Sequence, residues 1–213
     1  MIPGVPAAAP LASLLAEVRA CTLCAPHLPH APRPVLQASA SARVLIVGQA
    51  PGRKVHETGV PFNDASGERL RDWLGVSRDT FYDPTRIALL PMGFCYPGTA
   101  GGADLPPRPE CAATWRARLL AQLPAVRLTI LLGRYALDWH LRAAAGRQAA
   151  GRQATGRHAG KVADIVARWR DTAPTVFPLP HPSPRNRLWC RRHPWFEAEL
   201  LPVLRAQLQA VLA

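Results

Sequence analysis

The chain has 213 residues, 48% of them hydrophobic, with 26 Lys and Arg against 14 Asp and Glu, a formal net charge of +12. That length and apolar content suit one domain with a sizeable core and exclude a disordered chain, a collagen or a coiled coil. There is no run of about 18 apolar residues to span a membrane. The apolar N-terminus lacks a basic flank and is broken by prolines, so it reads as a tail leading into a helix rather than a signal peptide, and the expected compartment is the cytoplasm.

In chain order, Leu11, Leu14, Leu15 and Val18 recur at helical spacing and predict a helix over residues 10–22. Residues 25–42, rich in Pro, His and Ala, read as a long loop. Residues 43–48 (RVLIVG) run four apolar side chains into a glycine and predict a buried strand. A loop follows over residues 48–64, then Ser66 and Gly67 open a helix with Leu70, Trp73 and Leu74 on one face. Residues 87–90 (IALL) predict a second strand, residues 95–110 a Gly- and Pro-rich loop, and residues 112–123 a helix with Trp115, Leu119 and Leu120 inward. A third strand over residues 128–133 (LTILLG) precedes a helix over 135–144. The fourth strand, residues 175–179, contains Pro178, which suits an edge. Residues 195–211 close the chain as an amphipathic helix.

Strands alternating with helices predict an α/β fold, a three-layer α/β/α sandwich with a central, mostly parallel four-stranded sheet, as a single domain over residues 1–213. Ligands of such sheets bind at the carboxyl ends of the strands. Three loops follow strands there, over residues 48–64, 92–110 and 181–194, and these are where chemistry is expected.

The positive charge is unevenly placed. Residues 172–196 hold no acid but contain Arg185, Arg187, Arg191 and Arg192 interleaved with Trp189 and Trp195; residues 139–163 are likewise free of acid. Such stretches fit a polyanion, DNA above all. Residues 145–159 read AGRQA, AGRQA, TGRHA, a fivefold period that matches neither helix nor strand. The expectation is a flexible basic insertion over residues 145–160; the alternative is a continuation of the preceding helix, since Ala, Arg and Gln favour one.

Two of the loops carry motifs. Gly48-Gln49-Ala50-Pro51-Gly52 makes a tight turn after a buried strand, with backbone N–H groups free to approach a flat ligand. It has neither the Rossmann glycine pattern nor the Walker lysine. His181-Pro182-Ser183-Pro184 holds an imidazole stiffly at a strand end, where it can donate to a developing oxyanion. Taken in order with Gly59-Val60-Pro61-Phe62, these stretches resemble the uracil-DNA glycosylase superfamily, nearest to its iron–sulfur branch, over roughly residues 11–205. Cys21 and Cys24, a Cys-x-x-Cys pair, with Cys95 and Cys111 strengthen the resemblance: four thiols in a cytosolic chain fit an iron–sulfur cluster or zinc. Cys190 has no counterpart in that layout.

The resemblance implies a monofunctional DNA glycosylase that hydrolyses the N-glycosidic bond of uracil, or of a related deaminated base, flipped out of DNA. It implies that Phe62 stacks on the base, that Gly48, Gln49 and Ala50 line the base edge, and that His181 donates to O2. It places Ser183 on a phosphate and presses Pro184, Arg185 and Asn186 into the duplex. It implies a [4Fe–4S] cluster (zinc as the alternative) on Cys21, Cys24, Cys95 and Cys111. The protein would be a monomer at the nucleoid. Two departures stand out. The asparagine that usually follows the second strand is replaced by Pro91, which lacks even a backbone N–H. The acidic positions of the first motif hold Gln49 and Ala50. The compensating expectation is that Asn63 reads the base and that Asp64 or Gln49 places the water, with His56 and Glu57 as alternatives. A catalytically inactive iron–sulfur DNA-binding protein of the same fold is the rival reading.

Overall fold

The computed structural model describes residues 10–148 and 160–213. Its elements run α1 (Leu11–Arg19), β1 (Val44–Val47), α2 (Arg53–Thr58), α3 (Ala65–Leu74), α4 (Arg78–Tyr82), β2 (Ile87–Leu89), β3 (Thr99–Ala100), β4 (Ala103–Asp104), α5 (Pro109–Ala121), β5 (Leu128–Leu132), α6 (Gly133–Gln148), α7 (Val162–Ala167), β6 (Val176–Leu179), α8 (Arg187–Arg192) and α9 (Leu201–Leu212). β2, β1, β5 and β6 lie side by side in that order, each pairing parallel, and β3 and β4 form a two-residue antiparallel ribbon apart from them.

The strands of the parallel sheet are apolar at every position but Thr129, because both faces of a parallel sheet are covered. Alternation then divides them between two cores. Val44 and Ile46 of β1, with Ile130 of β5 and Phe177 of β6, pack under α3 and α9. Leu45 and Val47, with Leu131, pack under α1, α5 and α6. This is the three-layer α/β/α sandwich, and its sheet is parallel throughout. Burying these side chains removes apolar area worth roughly 25 cal/mol per Å2 from water.

β6 is an edge strand, which accommodates Pro178. The opposite edge is covered by the segment before β1: Gln37 exchanges backbone hydrogen bonds with Leu89 at 3.0 and 2.8 Å, and its carboxamide donates to the carbonyl of Ile87 at 2.8 Å. An otherwise bare row of donors and acceptors is thereby satisfied.

Five expectations change. The loop over residues 48–64 contains α2, and the loop after β6 contains α8. The helix after Phe62 is capped by Asp64, whose carboxylate accepts the Gly67 N–H at 2.8 Å, so it opens at Ala65 rather than at Ser66. The C-terminal helix begins as a π-helical turn, Phe196–Leu200. Finally, α6 runs to Gln148, so residues 145–148 prolong a helix as Ala, Arg and Gln favour. Residues 149–159 of the expected insertion lie outside the described residues.

Candidate active site

A cavity of about 530 Å3 opens at the carboxyl ends of the strands, in the size range of small-ligand sites. Its walls come from all three loops: Gly48–Gly52 and Phe62 after β1, Pro91 and Asp104 after β2, and His181 and Asn186 after β6.

Phe62 sits at φ 53, a left-handed backbone that side chains other than glycine seldom adopt, at a cost of about 1 kcal/mol or more. Two glycines hold it there. A β-carbon on Gly67 would lie 1.7 Å from the Phe62 carbonyl oxygen, so only glycine lets the first turn of α3 pass beneath that turn. A β-carbon on Gly48 would lie 3.0 Å from the tip of the Phe62 ring. On its far side the ring meets Phe81 edge-on at 6.0 Å. The tip of the ring is thus fixed against the turn that ends β1.

His181 stands at the end of β6. The Ser183 N–H donates to its Nδ1 at 3.2 Å, so in the neutral ring the proton sits on Nε2. The Asn186 carboxamide donates to the His181 carbonyl at 2.7 Å and fixes the loop. Burial pushes the imidazole below its ordinary value of 6.5, while the carboxylates of Asp64 and Asp104 pull the other way. A neutral imidazole with an N–H donor beside the cavity is an electrophilic group for a developing anion.

The expected polar residues divide. Gln49 and Asp64 line the cavity, but both have structural bonds: the Gln49 carboxamide donates to the Leu105 carbonyl at 3.0 Å, and Asp64 caps α3. Gly48 and Ala50 line it as well. Asn63 does not. Its carboxamide oxygen accepts from Arg78 at 3.5 Å, because the left-handed turn at Phe62 sends the next side chain away. His56 is tucked beside His30, with ring centroids 5.3 Å apart, and Arg33 donates to the carbonyls of His56 and Glu57, each at 2.8 Å. Ser183, Pro184 and Arg185 line the cavity mouth. Ser183 Oγ accepts the Arg185 N–H at 3.3 Å, and the Arg185 guanidinium donates to the Gly102 carbonyl, which joins the third loop to the β3–β4 ribbon.

Two residues escape the sequence patterns. Asp104, at the end of β4, brings a carboxylate to the cavity. A β-carbon on Gly52 would lie 3.6 Å from Asp104 Oδ2 and 3.8 Å from Asp64 Oδ2. Arg116 of α5 is 2% exposed, the one fully buried charged side chain among the described residues. Its Nη2 donates to the Leu90 and Pro91 carbonyls, both at 2.7 Å, and its Nη1 donates to His140 Nε2 at 3.2 Å. It anchors the backbone at the end of β2, where Pro91 meets the cavity. Burial pulls its pKa down to about 10, which leaves it charged at neutral pH.

Beyond the cavity, Arg187, Arg191 and Arg192 of α8 are exposed, as is Leu188 at 48%. Trp189 stacks on His193 at 4.3 Å and meets Trp195 edge-on. The basic, aromatic-laced stretch therefore lies on the element that follows the His181 loop.

Cys21, Cys24, Cys95 and Cys111 line one pocket. The Phe94 N–H donates to Cys111 Sγ at 3.3 Å. Burial pushes the Cys95 thiol up to about 11 and the Cys111 thiol to about 12. Among the described residues, no three Cys, His, Asp or Glu side chains converge closely enough to hold a single metal ion. Cys190 is buried in the core on the other face of the sheet.

The family model described as the uracil DNA glycosylase superfamily matches residues 36–205. The match takes in all three cavity loops and every strand of the parallel sheet; Cys21 and Cys24 precede it. This chain belongs to the uracil DNA glycosylase superfamily, a family of DNA glycosylases.

Proposed function

We propose that the protein is a monofunctional DNA glycosylase that hydrolyses the N-glycosidic bond of uracil, or a related deaminated base, extruded from DNA. The observation that carries the reading is that Phe62 and His181, from distant parts of the chain, wall the same cavity at the strand ends. Phe62 stacks on the base. His181 Nε2–H donates to the base oxygen on which charge collects as the bond to C1′ breaks. The turn from Gly48 to Ala50 lies along the base edge. Asn186 acts as a positioning residue for His181 rather than as a wedge, and Ser183 caps its own turn, so the phosphate contacts fall to Arg187, Arg191 and Arg192 of α8.

Cys21, Cys24, Cys95 and Cys111 would hold a [4Fe–4S] cluster. The four thiols line one pocket, and four thiolates suit an iron–sulfur cluster, with zinc as the alternative. Its contribution there is structural, tying the segment after α1 to the start of α5. Brown protein with iron and sulfide near four per chain supports this; colourless, iron-free protein purified without air refutes it.

The activity is tested by incubating the chain with oligonucleotides holding uracil, hypoxanthine, xanthine or a mismatch, beside His181→Ala. Excision that His181→Ala abolishes supports the reading. A chain that binds all four and cleaves none is the inactive DNA-binding member of the fold.

A further inference from the structure

Hydrolysis needs a group that places the attacking water, and neither acidic position of the first motif holds a carboxylate. We propose that Asp104, at the end of the β3–β4 ribbon, is the catalytic residue that places and deprotonates that water; this rests on the glycosylase reading.

Three observations support it. Asp104 lines the same cavity as Phe62 and His181, and its charge, like that of Asp64, acts on the imidazole. Among the described residues its Oδ1 accepts only the Thr99 hydroxyl, at 3.2 Å, whereas Oδ2 is turned toward Gly52. The competing groups carry structural bonds: Asp64 Oδ1 takes the shorter bond, 2.8 Å from the Gly67 N–H, to cap the helix that supports Phe62, leaving its Oδ2 toward Gly52, and the Gln49 carboxamide is fastened to Leu105. That second bond has a use of its own. It pins the residue next to Asp104, while Leu105 N–H bonds the Gly98 carbonyl at 2.9 Å and Arg185 holds Gly102. The ribbon is thus held at its tip and at its base, and the carboxylate is set in place before any ligand arrives.

With Asp104 in this role each loop supplies one part: a stacking face from the first, a carboxylate from the second, an electrophile from the third. The C1′–N bond breaks and its electron pair leaves on the base, which His181 stabilises through a hydrogen bond. The water oxygen bonds C1′ as its proton passes to the Asp104 carboxylate. That proton then leaves to solvent, the base anion takes one up, and the products are free base and an abasic sugar.

Asp104 is exposed on a ribbon, so Asp104→Asn should fold. The experiment measures single-turnover excision of whichever base the wild type removes, affinity for the same DNA bearing a non-cleavable fluorinated nucleotide, and rescue of Asp104→Ala by added formate. Asp104→Asn should lose about a hundredfold or more in rate with affinity retained, and formate should raise the Asp104→Ala rate. An Asp104→Asn rate near wild type, a loss of affinity that accounts for the loss of rate, or no response to formate overturns the proposal while His181-dependent excision leaves the glycosylase reading standing. A wild-type chain inactive on every substrate overturns the reading itself.

Discussion

The ring of Phe62 occupies the space that a side chain on Gly48 would need: a β-carbon there would sit 3.0 Å from Cζ of the ring. The glycine that ends β1 and the aromatic residue that faces the cavity are therefore one device. Gly48→Ala should displace the ring by a few tenths of an ångström to an ångström without disturbing the sheet. A misplacement of that size costs up to about a hundredfold in rate. The expected result is a large fall in single-turnover excision with a melting temperature near wild type. Equal losses in both would mean that the glycine serves the fold alone.

Much of this was legible in the chain because it is written locally. The runs VLIV and LTILL mark β1 and β5, and the glycine, phenylalanine and histidine motifs lie at strand ends where the topology brings them together. What was not legible depends on tertiary contacts. Asp104 is the one acid between Asp83 and Glu110, a signal that sequence offers, but only the folded ribbon brings it to the cavity. Arg116 stands beside Trp115 on a helix whose inward-facing pattern is apolar, and it is buried because two strand-end carbonyls need a donor. Asn63 lies outside the cavity lining and meets Arg78 instead, because adjacency to Phe62 says nothing of direction once the backbone turns left-handed. Helix α2, with the short polar sequence RKVHET, carries too little apolar periodicity to announce itself.

Asp64 separates a structural from a chemical role. As the cap of α3 it satisfies one backbone donor, and loss of such a cap costs about 1 kcal/mol. Asp64→Ala should lower the melting temperature by roughly 2–4 °C, and Asp64→Ser, which can still accept the Gly67 N–H, should restore most of it. Excision by Asp64→Ser should remain well above that of Asp104→Asn. The reverse order would move the water-placing role to Asp64.

Arg116 tests how the end of β2 is held. Arg116→Leu keeps the bulk but orphans the carbonyls of Leu90 and Pro91, each loss costing about 1–3 kcal/mol. Calorimetry should show a drop of several degrees. Arg116→Lys should recover only part, because an ammonium cannot span two carbonyls and His140 as the planar guanidinium does. Full recovery by lysine would show that charge, not the fork, is what the site requires.

The state of His181 gives a pH signature whose sign is fixed by burial. The folded pKa lies below the ordinary 6.5, with burial as the main cause. Above 6.5 the ring is neutral in folded and unfolded chains, so stability is unaffected there. As pH falls below 6.5, the unfolded chain takes up a proton that the folded chain refuses, and stability declines until the folded pKa is reached. His56, also lowered by burial and by its neighbours His30 and Arg33, acts in the same direction. Melting temperature should therefore fall between pH 6.5 and 5, less steeply in His181→Gln. Excision should hold while the folded imidazole stays neutral and fall only as pH approaches its lower folded pKa, since protonating Nδ1 removes the acceptor of the Ser183 N–H. In the neutral protein, nitrogen NMR should place the ring proton on Nε2. A proton on Nδ1, or a melting temperature that climbs as pH falls below 6.5, would contradict the geometry of the loop that presents this histidine.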